Sequence, residues 1–190
     1  MKLYIGILTL LSTINWSKAQ STVTDSRDGE VYDIEVIGDK IWMTENLRYR
    51  VADSYCYDNS EENCEQKGRL YTWAAAQKAC PEGWHLASET EWKSLAKAFG
   101  GWDEDAKDGG AAAFKALIRS GKSNFNAILG GRQDITQGKF HNLDRVGHYW
   151  SSTQGDQYYG SAVDFNVDYG KLIHSHYLKK GALACRCVSD

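Results

Sequence analysis

The sequence predicts an α+β domain, and three segments carry that prediction. Near the start, Val31–Ile37 is rich in β-branched residues and lies between two Asp/Gly turn signals, a pattern typical of a strand. In the middle, residues 89–99 place apolar side chains at the spacing of one helix face. Towards the end, residues 163–169 alternate between apolar and polar side chains, the period of a half-buried antiparallel strand. Strands at both ends with helices between them indicate an α+β fold.

The first predicted elements are a β-hairpin and a helix. After Val31–Ile37, the turn at Gly38 leads into a second strand over residues 40–44. Residues 70–80 are rich in alanine, and one helical face of this segment carries Trp73, Ala76, Gln77 and Cys80. We therefore predict a helix over residues 70–80.

The helix over residues 89–99 has sequence signals at both ends. Ser88 is a suitable N-cap, and Glu91 three residues later completes a capping box. The apolar stripe consists of Trp92, Leu95, Ala96 and Phe99, and two glycines follow it. Residues 111–120 have helical composition as well, so the sequence predicts two or three helices in all.

An antiparallel sheet is predicted for the last third of the chain. The strand over residues 163–169 leads through a turn into residues 172–178, and residues 182–188 form the last strand. Asp164, Asn166 and Asp168 share one face of the first of these strands. Alternate strand residues lie about 7 Å apart, too far for all three to bind one ion, so we predict a solvated face.

Length and charge limit the class of protein. The chain has 190 residues, which favours a single domain. Its 22 Lys and Arg residues against 25 Asp and Glu residues give a formal net charge of −3 at pH 7. A chain with this balance lacks the basic surface that binds phosphate backbones, so we expect no nucleic-acid partner.

Residues 1–19 have the organisation of a secretion signal. A lysine precedes a short apolar run, and Ser17-Lys18-Ala19 resembles a cleavage site with small residues. The apolar run is too short for a membrane-spanning helix, so we expect no stable membrane insertion after cleavage. The predicted domain covers residues 20–190 of a protein that is secreted, periplasmic or exposed at the cell surface.

The five cysteines are interpreted for an oxidising compartment, where thiols tend to pair. Cys56 and Cys64 flank a segment of turn-forming residues, and we predict a disulfide between them. Cys80 has two candidate partners, because Cys185 and Cys187 point to the same face of the last strand. A zinc site at this Cys-x-Cys pair is disfavoured, since no second pair accompanies it.

Six segments resemble the Fibrobacter succinogenes major paralogous domain family, in the same order along the chain. They read WMTENL at 42–47, GRLYTWAAA at 68–76, ACPEGWHL at 79–86, FNAILGGR at 125–132, YWSST at 149–153 and RCV at 186–188. The resemblance implies a C-type lectin-like fold in a secreted or surface-exposed bacterial protein. It also implies pairing of Cys80 with Cys187, which leaves Cys185 as a buried small side chain.

Metal-dependent and catalytic functions find little support in the sequence. The Glu-Pro-Asn and Gln-Pro-Asp tripeptides of calcium-dependent lectins are absent, because Pro81 is the one proline. His174 and His176 share a strand face without a third ligand, which favours exposed polar positions over a metal site. Ser151 lies near His148, but no nucleophile elbow surrounds it. We expect no metal and no other cofactor.

The sequence favours a non-catalytic binding or adhesion module, with an extracellular glycan or a surface protein as its partner. The lectin-like fold places ligands on the excursion between the helices and the final strands. Stacking rings next to short polar side chains suit such ligands. We therefore predict a binding surface that includes Arg132, Asp134, Trp150, Tyr158 and Tyr159. The alternatives are an enzyme on a scaffold like the formylglycine-generating enzymes and a structural envelope protein.

Overall fold

The computed structural model describes residues 21–134 and 136–190. The predicted leader, residues 1–19, lies outside the described residues. The strands are β1 Ser21–Thr24, β2 Val31–Ile37, β3 Lys40–Met43, β4 Ser54–Tyr55, β5 Leu70–Thr72, β6 Trp84–Leu86, β7 Gly130–Asp134, β8 Lys139–Leu143, β9 Val146–Gln154, β10 Tyr159–Asn166, β11 Lys171–Leu178, β12 Ala182–Leu183 and β13 Cys187–Ser189. The helices are α1 Glu61–Lys67, α2 Trp73–Ala76, α3 Glu89–Lys97 and α4 Ala111–Leu117. The predicted α+β class is confirmed.

The strands form two sheets. The smaller sheet has the order β1-β2-β3-β13-β6 and contains the predicted hairpin of β2 and β3. The larger sheet has the order β11-β10-β9-β7-β12-β5-β4, with β8 paired to β7. Its β9, β10 and β11 are antiparallel, as predicted for this part of the chain. The contact between β7 and β9 is parallel and joins Gly131 to Gly147.

The end of the chain contributes one strand to each sheet. β12 lies between β7 and β5 in the larger sheet, and β13 lies between β3 and β6 in the smaller one. The strand predicted over residues 182–188 is therefore wrong as a single element, because the chain crosses from one sheet to the other between β12 and β13. This crossing holds the two sheets together.

Two predicted helical segments have different outcomes. α3 begins after Ser88 with the predicted capping box and is confirmed. The helix predicted over residues 70–80 is confirmed only for Trp73–Ala76, because residues 70–72 form β5 between β4 and β12. Helical structure begins after Thr72, whose side chain accepts a hydrogen bond from the backbone N–H of Ala75. The alanines lie in this short helix, whereas Leu70, Tyr71 and Thr72 pair with distant strands.

Both predicted disulfides are present. Cys56 is bonded to Cys64, with eight residues of sequence separation, and Cys80 is bonded to Cys187, with 107. The first bond holds α1, which the sequence analysis missed because the segment is polar and rich in turn formers. Cys185 is free and buried.

The core contains a cluster of large aromatic side chains between the sheets and α3. Trp92 lies at its centre, with its ring 5.1 Å from Trp42, 5.7 Å from Phe125 and 5.6 Å from Tyr149. Much of the aromatic content of the chain is therefore structural.

The buried guanidinium of Arg186 is also part of the core. It donates hydrogen bonds to the side chain of Asn46 and to backbone carbonyls of Met43, Phe125 and Asn126.

No helix in the described parts of the chain is long and apolar enough to cross a membrane.

Candidate functional site

Two concave surfaces flank the outer strand β11. The tyrosine pocket has a volume of about 250 Å³ and is lined by Arg132, Asp134, Tyr159, His176, Tyr177 and Leu183, among others. The helix groove is larger, at about 840 Å³, and its lining includes Glu89, Lys93, Trp102, Asp105, Tyr169 and Lys171. The tyrosine pocket thus brings together Arg132, Asp134 and Tyr159 from the predicted binding surface.

Arg132 lies on β7 and extends over the ring of Tyr177. Its guanidinium carbon is 5.4 Å from the ring centre, within the range of a cation–π contact. The preceding Gly131 has a positive φ of 67°, and a Cβ there would lie 2.5 Å from the carbonyl oxygen of His141. Glycine is therefore required immediately before Arg132, where the backbone passes close to β8.

Asp134 ends β7 and organises the turn that follows. Its Oδ1 accepts hydrogen bonds from the backbone N–H of Thr136, at 3.0 Å, and from the hydroxyl of Thr136, at 2.6 Å. The hydroxyl bond is the main cause of the lowered pKa of Asp134. One carboxylate oxygen of Asp134 is therefore engaged in the turn.

Tyr158 and Tyr159 are held by a second turn. Oδ1 of Asp156 accepts hydrogen bonds from both of their backbone N–H groups at 2.7 Å. These two hydrogen bonds lower the pKa of Asp156, and the bond from Tyr159 is the larger cause. Tyr158 and Tyr159 remain 63% and 40% exposed; Tyr159 lines the tyrosine pocket, whereas Tyr158 is exposed next to it in the chain and is not part of its lining.

Trp150 does not belong to the binding surface that the sequence predicts. Its side chain is fully buried, and its indole N–H donates to the carbonyl of Tyr71 at 2.7 Å. A buried ring with its donor satisfied inside the protein has no face for a ligand. Trp150 was chosen for its ring chemistry, and the sequence alone could not show that another part of the chain covers it.

A buried polar network lies behind the tyrosine pocket. Asp164 is the central acceptor: its Oδ1 lies 2.7 Å from Nδ1 of His148, and its Oδ2 accepts from the hydroxyls of Tyr177, at 2.6 Å, and Ser175, at 2.8 Å. Burial, together with the Asp164 carboxylate, raises the pKa of Tyr177. The Tyr177 hydroxyl therefore stays protonated and fixes the ring on which Arg132 rests.

The sequence analysis missed this network. It predicted that Asp164 lies on a solvated face, and this prediction is wrong, because Asp164 and His148 are both buried. The two residues face each other in the register of β9 and β10, which a single sequence does not reveal. Val167 and Tyr169, placed on the same predicted strand, lie beyond the end of β10 and are exposed.

Four charged side chains of the helix groove have partners within the protein, whereas Lys171 is exposed and has no ion-pair partner among the described residues. Lys93 and Asp105 form an ion pair at 2.7 Å. Asp103 accepts a hydrogen bond from the backbone N–H of His174. Glu89 accepts a hydrogen bond from the hydroxyl of Ser161 at 2.8 Å. Trp102 stacks on His174 with ring centres 5.2 Å apart and is itself buried, so its ring does not form an open platform.

The family model described as the Fibrobacter succinogenes major domain matches residues 36–189. The chain belongs to this family. No curated protein and no solved structure gives a significant match to the chain. Both concave surfaces lie within the matched Fibrobacter succinogenes major domain.

Within this Fibrobacter succinogenes major domain, the polar clusters around His148 and His174 are not arranged as a nucleophilic triad. Nε2 of His148 lies 3.2 Å from the side-chain nitrogen of the exposed Asn142, where a triad requires a nucleophile. In the helix groove, Ser161 and Glu89 approach the same nitrogen of His174, at 2.9 Å and 3.3 Å, whereas a triad needs them on opposite nitrogens.

The described residues also offer little support for cysteine or metal chemistry. Burial raises the pKa of the Cys185 thiol well above its usual range, which disfavours a reactive thiolate. In the described residues, the one grouping of three metal-ligand side chains is Cys56, Glu61 and Cys64, and its two sulfurs form a disulfide.

Proposed function

We propose that this chain is an exported, non-catalytic binding module of C-type lectin-like fold, and that the tyrosine pocket holds part of an extracellular glycan. The observation that carries the proposal is the convergence of Arg132, Asp134 and Tyr159 on one pocket. A guanidinium and a carboxylate oxygen can bind sugar hydroxyls, and tyrosine rings can stack on the apolar face of a sugar.

The state of the polar groups favours the tyrosine pocket over the larger helix groove. Ligand sites commonly combine apolar walls with a few polar groups that are free to orient the ligand. The tyrosine pocket has the apolar side chains of Leu178 and Leu183 and the guanidinium of Arg132. In the helix groove, a ligand would first have to displace the ion pair of Lys93 and Asp105.

Export is supported by the sulfur chemistry. Disulfides persist in oxidising compartments and are rare in the cytosol of most organisms. The two disulfides of this chain, one within a short polar loop and one between distant parts of the chain, fit a protein that works outside the cytosol.

The rings of Tyr158 and Tyr159 provide the test. We expect the protein without residues 1–19 to bind at least one member of an immobilised polysaccharide panel in a saturable manner. Replacing both tyrosines by alanine (Tyr158→Ala with Tyr159→Ala) should weaken that binding at least tenfold, because a ring that anchors a ligand contributes about 1–3 kcal/mol. The thermal unfolding midpoint should stay nearly unchanged, since both side chains are exposed.

Tyr169→Ala is the matched control. Tyr169 is 70% exposed and borders the helix groove, so its loss should leave polysaccharide binding intact. A loss of binding confined to the Tyr169 variant would move the site to the helix groove. Absence of saturable binding to every polysaccharide, or capture of a surface protein alone, would overturn the glycan proposal.

A further inference from the structure

The environment of Arg132 differs from that of every other partly or fully buried arginine in residues 21–134 and 136–190. Ion pairs within 4 Å hold Arg27 to Asp25, Arg48 to Glu30 and Arg69 to Glu61. Arg186 is saturated by an amide oxygen and backbone carbonyls. Arg132 is also partly buried, yet among these described residues its guanidinium has neither a hydrogen-bond acceptor nor an ion-pair partner within 4 Å, and it lies over the Tyr177 ring.

We infer that the tyrosine pocket recognises a carboxylate group on its glycan, and that the guanidinium of Arg132 binds it. This inference rests on the proposed function and specifies the class of ligand as acidic sugars. The planar guanidinium presents two parallel N–H donors that match the two oxygens of a carboxylate. A partly buried cation without an ion-pair partner favours an anion over a neutral hydroxyl, because the anion adds a Coulombic attraction and a carboxylate can accept two parallel hydrogen bonds.

The neighbouring acids do not satisfy Arg132. Asp134 makes the local electrostatic potential more negative and interacts with Arg132 at longer range. Its Oδ1 is bonded to Thr136, however, and the side chains of Asp134 and Arg132 are not within salt-bridge distance of each other. The charge of Asp156 is directed at the backbone N–H groups of Tyr158 and Tyr159. Two potential cations, Lys179 and His176, both interact with Asp156 and partly offset its charge.

The tyrosine pocket has the size of a site for one sugar ring. Its volume of about 250 Å³ lies below the usual range of about 300–1,000 Å³ for pockets that enclose whole small molecules. It therefore suits a single acidic sugar ring, with the carboxylate on Arg132 and one ring face against Tyr159. The Tyr177 hydroxyl is already bonded to Asp164, so it holds the floor of the pocket and leaves recognition to Arg132.

Titration with two matched oligosaccharides tests this inference. We choose the trimer of galacturonic acid and the trimer of galactose, which differ in the oxidation of C6 to a carboxylate. We expect the wild-type protein to bind the acidic trimer at least tenfold more tightly in calorimetry, and added NaCl to reduce this preference by screening. Arg132→Gln should abolish the preference, and Arg132→Lys should reduce it, because lysine keeps the charge without the planar pair of donors.

Arg119→Gln is the control for net charge, since Arg119 is exposed and lies outside the pocket. It should keep the full preference for the acidic trimer. Unfolding midpoints measured for each variant exclude misfolding as the cause of a lost preference. Equal binding of both trimers by the wild type, or a preference that persists in Arg132→Gln, would overturn the carboxylate inference while leaving a glycan function intact. Absence of binding to either trimer would overturn it as well, and the polysaccharide panel then tests the proposed function separately.

A sulfated galactose trimer separates carboxylate recognition from general anion binding. We expect weaker binding than for the galacturonic acid trimer, because the tetrahedral sulfate is bulkier than a planar carboxylate. Tighter binding of the sulfated trimer would overturn the assignment of the carboxylate.

Discussion

The tyrosine pocket and the helix groove differ in what their charged side chains already contact. The groove is more than three times as large, about 840 Å³ against about 250 Å³. Its Lys93, Asp105, Glu89 and Asp103 nevertheless all have partners within the protein. The one groove cation without such a partner, Lys171, is exposed, whereas the guanidinium of Arg132 in the pocket is partly buried and, among the described residues, has no hydrogen-bond acceptor or ion-pair partner. The comparison teaches that free bonding capacity, rather than volume, identifies the better candidate for a binding site.

The two surfaces also differ in what lies behind them. The pocket rests on the buried network of Asp164, His148 and Tyr177, which fixes the Tyr177 ring. The groove is bordered by half-exposed Glu89 and by the exposed pair of Lys93 and Asp105. Substitutions behind the pocket should therefore affect stability far more than substitutions in the groove.

The largest expected effect is that of Asp164→Ala. It removes the acceptor that Tyr177, Ser175 and His148 share and leaves Tyr177 and His148 with only each other at 3.0 Å, so we expect the free energy of unfolding to fall by about 2–4 kcal/mol. The matched groove variant, Glu89→Ala, should lower it by about 1 kcal/mol or less, because water can replace the lost bonds. Urea unfolding of the two variants checks this, and equal losses would contradict the difference between the two surfaces.

A smaller effect is expected for Tyr177→Phe, which removes the hydroxyl and retains the ring. Loss of the bond to Asp164 should lower the free energy of unfolding by about 1–2 kcal/mol. It should also weaken binding of the galacturonic acid trimer, because the ring under Arg132 is no longer fixed. Tyr169→Phe in the groove is the control and should change neither quantity. A fully stable Tyr177→Phe protein would show that the network does not support the pocket.

A pH-dependent contribution to stability is expected near the start of α3, the helix that borders the helix groove. Burial alone lowers the pKa of His85, but its hydrogen bonds to Asp190 and Glu91 outweigh burial and raise the pKa overall. The resulting stabilisation is complete below the unfolded-state pKa of about 6.5 and is lost as the pH rises through the raised folded-state pKa. His85→Gln should therefore destabilise the protein more at pH 6 than at pH 8.5.

Solvent screening keeps this difference at about 0.5 kcal/mol, because His85 is partly exposed. Urea titrations of the wild type and His85→Gln at both pH values measure it. A larger destabilisation by His85→Gln at pH 8.5 than at pH 6 would show that the ion pairs of His85 do not stabilise the folded state.

The smallest expected effect is that of Lys93→Gln in the groove. Lys93 and Asp105 are both more than half exposed, and exposed ion pairs contribute little to stability. We expect no resolvable change in the unfolding midpoint and no change in affinity for the galacturonic acid trimer. A marked loss of affinity would instead locate the binding site in the groove.

The elements with local sequence signals were predicted correctly. The hairpin, the capped helix α3 and the Cys56–Cys64 loop all depend on residues close together in the chain. The start of the helix predicted over residues 70–80 was wrong, because pairing with distant strands makes residues 70–72 a strand, and α1 was missed because its polar residues lie on a loop closed by a disulfide. The pairing of Cys80 with Cys187 came from the family resemblance.

The candidate site shows the same division between local and distant information. Arg132, Asp134 and Tyr159 were chosen for their chemistry, and the fold brings them together. Trp150 was chosen for the same reason and is buried, because burial depends on packing against β5 and β12 that a single sequence does not reveal. The network behind the pocket depends on strand register, which also lies beyond single-sequence analysis.

The most direct test of the central claim is an NMR titration of the labelled protein without residues 1–19 with the galacturonic acid trimer. Backbone amide shifts report which of the two surfaces the ligand contacts. We predict the largest shifts at Arg132, Tyr159 and His176, with little change at Lys93 and Lys171, and loss of these shifts in Arg132→Gln. Largest shifts at Lys93, Trp102 and Lys171 would contradict the claim that the tyrosine pocket is the binding site.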